Sequence, residues 1–165
     1  MKNPRIEAQA RIATPLGPLT VAATAQGLAG AWFDGQSHHP GPIVAPVDER
    51  HPQLVRASQA LQAYFSGRSD TFALPLDAEG TAFQRAVWQA LCEIAPGATV
   101  TYGDIAQRIG KPAAVRAVGA AVGRNPISII VPCHRVIGHD GSLTGYAGGL
   151  PRKQALLAHE SRKAA

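Results

Sequence analysis

The sequence predicts a two-part chain, an α/β unit over residues 1–80 followed by a mainly helical unit over residues 81–165. Three observations carry that division. The first part alternates short β-prone runs with Pro/Gly turns around one helical stripe. The second part is dominated by apolar stripes at helical spacing, opened by capping residues or proline and closed by glycine. Charge divides at the same place. Residues 1–80 hold six Lys/Arg against seven acids, a balance of −1, whereas residues 81–165 hold ten against four, a balance of +6, giving the formal net charge of +5.

In the first part, "RIEAQARIAT" and "LTVAAT" read as strands joined by the turn at Pro15–Pro18, and "LAGAWF" follows the Gln26-Gly27 turn as a third. "SHHPGPIVAPVDERHP" is a Pro-rich loop. Pro52 suits the first turn of a helix, Leu54, Ala57, Leu61 and Phe65 recur at helical spacing, and Gly67 ends the run. "TFALPL" reads as a short strand and "DAEG" as a hinge.

In the second part, Thr81 with Gln84 makes a capping box ahead of the stripe Phe83, Val87, Leu91 and Ile94, which Pro96-Gly97 stops. Thr101 and Asp104 open "YGDIAQRI", closed by Gly110. Pro112 opens "PAAVRAVGAAVG", closed by Gly123. Two short helices across a tight Gly-Lys-Pro turn form a helix-turn-helix pattern. "ISIIV" reads as an apolar strand delivering Cys133, and "QALLAHE" as a final helix.

A chain of 165 residues with 45% hydrophobic and 16% charged residues has the composition of a compact globule rather than a disordered segment. No apolar run is long enough to cross a bilayer. Residues 1–17 contain Glu7 and lack a continuous apolar core, so no secretory signal is expected. Two cysteines, Cys92 and Cys133, give no disulfide framework and point to a reducing compartment. His38, His39 and His51 sit in the Pro-rich loop without cysteines or paired carboxylates at ligand spacing, so no metal site is expected.

Three constellations bear on chemistry. Around Arg116, the second helix of the pattern carries Ala113, Ala117, Gly119, Ala120 and Gly123, all small. Such a helix approaches either a packed neighbour or a nucleic-acid backbone closely. A long cation on it has the reach to fill the space left by an extruded base. Second, "VPCHR" places Cys133 beside a histidine and an arginine. A thiol becomes a strong nucleophile when a cation or a histidine base assists it. Adjacent residues of an extended chain face opposite ways, so His134 needs a turn or a water relay to serve the sulfur. Third, "GSLTGYAGGLPRK" gathers glycines around Tyr146 in a close-approach loop that lacks both the P-loop and the dinucleotide-binding spacing. The residues by themselves reach a DNA-associated protein with a reactive cysteine.

The segment "VPCHRVIG" resembles the active-site signature of the O6-alkylguanine-DNA alkyltransferases, the methylated-DNA–protein-cysteine methyltransferases. "TYG", "RAVGAAVGRNP", "TGYAGG" and "LLAHE" resemble further family segments in the same order, and the resemblance is specific from about Phe83 to Glu160. It implies a ribonuclease-H-like α/β subdomain followed by a helical winged-helix domain carrying the active site. It also implies irreversible, single-turnover transfer of an alkyl group from O6-alkylguanine, and less so from O4-alkylthymine, after minor-groove binding and base flipping. Cys133 would be the acceptor, His134 the base through a water, Glu160 the group orienting the imidazole, and Asn125 the brace of the preceding turn. Tyr102 would help rotate the nucleotide out, Arg116 would replace it, and Tyr146 with Gly148 would line the base pocket. Gly103, Ala113, Ala117, Ala120, Arg124 and Arg135 would meet the DNA.

The implied partner is double-stranded DNA containing O6-alkylguanine, met by a cytoplasmic monomer of bacterial type, with no cofactor, metal or membrane. The family's zinc-binding cysteines and its fused sensor domain have no counterpart here. Ala147 stands where some relatives carry a hydroxyl, and Cys133 stands where a non-catalytic branch has tryptophan. Two rivals predict different behaviour. A non-catalytic helix-turn-helix protein binding damaged or operator DNA would bind reversibly and survive loss of the thiol. A cysteine hydrolase using Cys133 and His134 would turn over, and leaves the basic half and Arg116 unexplained.

Overall fold

The computed structural model describes residues 5–164. Residues 1–4 and 165, the outermost parts of the two predicted units, lie outside the described residues. Backbone contacts divide the chain into Met1–Glu79 and Gly80–Ala165.

The first unit is built on an antiparallel sheet of β1 (Ala8–Ile12), β2 (Leu19–Ala23) and β3 (Leu28–Phe33), in that order. β2 lies between the other two, pairing Val21 with Ala10 on one side and with Ala31 on the other. Every residue of β3 is buried, which explains its unbroken apolar run. Gly30 is required there, because a Cβ would meet the Trp32 indole at 1.9 Å. Helix α1 (Pro52–Phe65) carries Leu54, Ala57, Leu61 and Tyr64 on its buried side. Its first turn is capped by His51, whose Nδ1 accepts from the Gln53 N–H. The Pro-rich loop is pinned along β1 by the Gln9 amide, which donates to the Ile43 and Ala45 carbonyls at 2.8 and 2.7 Å. The predicted strand "TFALPL" is not one. It contributes a single bridge, Leu76 to Leu28, because a proline within so short a run interrupts a ladder.

The second unit has α2 (Ala82–Cys92), α3 (Tyr102–Arg108), α4 (Val115–Gly123) and α5 (Leu150–Ala164). The predicted capping box of Thr81 with Gln84 forms, and Thr101 with Asp104, expected to open α3, makes a second one. The Trp88 indole N–H of α2 donates to the Ala121 carbonyl of α4 at 2.8 Å, fixing those helices together. The helix-turn-helix pattern holds, but α4 starts at Val115. Pro112 and Ala113 lie in a turn closed by the Ala114 N–H on the Lys111 carbonyl, and Ala114 caps the helix without a side-chain bond. A pair with no strong sequence signal completes the unit. β4 (Val100–Thr101) runs parallel to β5 (Val136–Ile137), with Val100 opposite Val136.

Candidate active site

The predicted strand "ISIIV" is a compact turn instead, and the reason lies in one side chain. Asn125, 3% exposed, donates from Nδ2 to the carbonyls of Ile127 (3.3 Å) and Val131 (2.9 Å), while its Oδ1 accepts from the Ile127 N–H (3.0 Å). These bonds fold the backbone back on itself and take ladder positions a strand would need. The Val131 N–H also reaches the Ile127 carbonyl, and Ile129 is held at φ 72, a conformation a β-branched residue adopts only under tertiary constraint. Residues 127–131 are all buried, so the apolar signal was real while its conformation was set by Asn125.

Pro132 then makes a tight turn, with the Cys133 N–H on the Val131 carbonyl at 2.8 Å, and Cys133–Arg135 form one turn of 3-10 helix. That turn ends in β5, whose parallel pairing with β4 joins it to the start of α3. The thiol-bearing turn and the first helix of the helix-turn-helix therefore share a small sheet.

α5 supplies the other side of the site. His134 is fully buried, and its Nε2 lies 2.8 Å from Glu160 Oε2. With Glu160 ionised, this bond puts the ring proton on Nε2 and leaves Nδ1 as the acceptor. Nδ1 is buried and makes no hydrogen bond among the described residues. Burial pushes the His134 pKa down, with Glu160 opposing that shift and Arg135 and Lys153 adding to it, so the imidazole is neutral. Cys133 is 5% exposed, and burial raises its thiol to about 11. A hydrogen bond from Asn125 and the charge of Lys153 oppose the rise. At neutral pH Cys133 is a thiol, and it needs a base to become a nucleophile.

Lys153 is the buried cation of this region that pattern reading did not single out. Its ammonium is fully buried and donates to the carbonyls of Val136 (2.6 Å) and Thr144 (3.1 Å). In the sequence it looks like one of two cations behind a glycine loop, and only its position on the inner side of α5 distinguishes it from Arg152. Arg135 also departs from expectation. It is turned inward rather than toward solvent: it is 4% exposed, its Nε and Nη2 grip the two oxygens of Glu160 at 2.8 and 2.9 Å, and its Nη1 donates to the Ile94 carbonyl at 2.7 Å. Its place in the 3-10 turn beside His134 directs it inward. Cys92 and Cys133 are both free thiols.

The remaining predicted residues fall in two groups. Tyr102, Tyr146 and Gly148 are half-buried or buried, with the Tyr102 hydroxyl 2.8 Å from Thr144 Oγ1 and the Tyr146 ring 6.5 Å from the His134 ring. Arg116, Ala117 and Ala120 are exposed on α4, with Ala113 exposed in the preceding turn and Arg124 just past the helix end. Gly103 is half-buried in the first turn of α3.

A family model described as "6-O-methylguanine DNA methyltransferase, ribonuclease-like domain" matches residues 9–78, and one described as "6-O-methylguanine DNA methyltransferase, DNA binding domain" matches residues 82–162. The chain belongs to the 6-O-methylguanine DNA methyltransferase family. A methylated-DNA–protein-cysteine methyltransferase of Methanosarcina barkeri is 51% identical over 152 residues, covering 90% of this chain and 94% of the relative. One from Haemophilus influenzae is 46% identical over 148 residues, covering 89% and 82%. Among solved structures, Mycobacterium tuberculosis OGT in complex with DNA superposes with a TM-score of 0.86 at 45% identity, covering 94% of each chain. Membership of this methyltransferase family gives the two units their architecture, a ribonuclease-like domain followed by a DNA-binding domain.

Proposed function

We propose that the protein repairs DNA by direct reversal, moving the alkyl group of O6-alkylguanine irreversibly onto Cys133. The observation that carries this reading is a buried thiol beside a neutral His134 whose Nε2 is committed to Glu160, all within a unit matched as the family's DNA-binding domain. The charge asymmetry and the helix-turn-helix agree with a duplex as partner.

The chemistry balances without loss or gain of electrons. The Cys133 proton passes to His134 Nδ1 through a water. The sulfur attacks the alkyl carbon, forming a C–S bond as the C–O bond to guanine breaks, and the bonding pair leaves with the base. The departing guanine recovers a proton, so thiol and alkylguanine become thioether and guanine. Nothing in the site cleaves a thioether, so each molecule reacts once.

The O6 carbon lies within the base stack of a duplex, and reaching Cys133 requires extrusion of the nucleotide. In this reading α4 enters the minor groove through Ala117 and Ala120, with Ala113 in the turn before it, small side chains that permit close approach, and with Gly103 and Arg124 at the backbone. Arg116, exposed on the same helix, fills the space of the extruded base. Tyr102 rotates the nucleotide outward, and Tyr146 with Gly148 lines its pocket. Asn125 holds the turn that carries the thiol.

Among the described residues no helix is long and apolar enough to cross a membrane. The proposed place of action is the cytoplasm of a bacterial-type cell, where a monomer meets DNA. The deciding experiment is intact-protein mass spectrometry after incubation with a duplex containing O6-methylguanine. The expected result is a gain of one methyl group, mapped to the Cys133 peptide and absent in Cys133→Ala. Unchanged mass with DNA binding retained would favour a non-catalytic binder.

A further inference from the structure

The Glu160 carboxylate does not serve His134 alone. Oε1 accepts from Arg135 Nε, while Oε2 accepts both from Arg135 Nη2 at 2.9 Å and from His134 Nε2 at 2.8 Å. The guanidinium takes the carboxylate in a bidentate fork, the geometry in which arginine and a carboxylate neutralise each other most fully. The same guanidinium is tied to the Ile94 carbonyl, which keeps the fork from turning away. His134 therefore leans on an ion pair, not on a lone anion.

We propose that Arg135 is a positioning residue for the transfer reaction: by neutralising Glu160, it lets the carboxylate fix the imidazole tautomer without drawing a second proton onto the ring. This inference rests on the alkyl-transfer reading for its purpose, and on the geometry of the four groups for its content.

The consequence follows from the charges around the ring. From α5 come Glu160 and Lys153; from the 3-10 turn come Cys133 and Arg135; from the glycine loop comes Tyr146; from the last residue of α2 comes Cys92, beside Arg135, and from the turn after it the Ile94 carbonyl. With His134 neutral, two cations face one carboxylate. An imidazolium would add a third positive charge in a buried site, so the proton taken from Cys133 is held briefly and passed on. Had Glu160 been left alone, it would have stabilised an imidazolium, and the ring would have arrived at the thiol already protonated. The lowered His134 pKa, to which Arg135 contributes, agrees in direction.

The test follows the His134 ring by NMR through a pH titration, in a protein carrying Cys92→Ser and in variants at residues 135 and 160. This readout does not depend on whether the protein accepts alkyl groups from DNA. Failure of the mass-spectrometric experiment and failure here are therefore separable. Arg135→Met should raise the midpoint of His134 by about one pH unit or more, the usual effect of removing a cation from beside a titrating group. Glu160→Gln should lower it. The double variant, which removes both members of the pair, should return it near the parent value.

The rate of Cys133 alkylation by an O6-methylguanine duplex should show its acid limb moving in the same directions. If Arg135→Met leaves the midpoint and the limb in place, the proposal is overturned, even if the rate falls uniformly at every pH. That uniform loss is what a purely structural arginine would give. Should Arg135→Met fail to fold, Arg135→Gln removes the charge while keeping a donor for Glu160, and carries the same test.

Discussion

Burial shifts Lys153 and Cys133 in opposite directions: it raises the thiol to about 11 and lowers the ammonium, and the charge of each opposes that shift in the other. The lysine donates hydrogen bonds to two neutral carbonyls, those of Val136 and Thr144. In the proposed reaction its charge favours the thiolate of Cys133. Lys153→Met should therefore raise the thiol further and slow alkylation of Cys133 at neutral pH by about tenfold, the effect of one pKa unit. The loss should be largely recovered by raising the pH. A stopped-flow or quench series across pH would show this, and a rate equal to the parent at neutral pH would remove Lys153 from the reaction.

The raised thiol also makes a stability prediction. A thiol whose pKa is higher folded than unfolded holds its proton more tightly in the folded state. Its contribution is full below the ordinary value of 9.0 and is lost as pH rises toward 11. Two units correspond to about 2–3 kcal/mol. Urea unfolding at about pH 8 and about pH 11 should show a fall of this order in the parent that is smaller in Cys133→Ala. Equal losses in both proteins would mean that the thiol does not sense its burial.

Asn125 closes the turn that carries the nucleophile with three hydrogen bonds to buried backbone groups. Asn125→Ala strands those groups, and should destabilise the protein by about 2–4 kcal/mol, given the penalty for unsatisfied buried polar atoms. The strained Ile129 backbone, at φ 72, should relax at the same time. Chemical denaturation measures the first effect. Slowed alkylation by a small thiol reagent, under conditions where the variant remains folded, measures the displaced sulfur.

Arg116 is exposed on α4 and lies outside the buried network of His134, Arg135 and Glu160. Arg116→Ala should therefore leave stability within about 0.5 kcal/mol of the parent. It should weaken repair of an O6-methylguanine duplex more than reaction with the free alkylated base, since only the duplex needs the extruded position filled. Equal effects on duplex and free base would reassign the residue to general DNA affinity.

Local grammar carried most of the fold. The capping boxes at Thr81 and Thr101, Pro52 opening α1 and the stripe of α2 are signals written within a few residues, and the structure obeys them. The cysteine, its histidine and the distant Glu160 were also legible, because "PCHR" and "LLAHE" are recognisable segments. What failed were features set across the chain. "ISIIV" has every local property of a strand, yet a buried amide four residues before its centre folds it into a turn. The pairing of β4 with β5 is two residues long, too short for any alternation to announce it.

The sequence by itself determined the two-unit architecture, the capped helices and the identity of the thiol and its histidine, because helix caps, periodicity and short motifs act over one or two turns of chain. Only the tertiary structure decided what the cations do. Arg135 and Lys153 have the same formal charge as Arg116, and composition counts all three toward a basic surface. Burial separates them: one pairs with Glu160, one donates to the Val136 and Thr144 carbonyls, and one remains in solvent on α4. A buried charge must find its partner within hydrogen-bonding reach, and only the fold brings residues 17–41 positions apart to that distance.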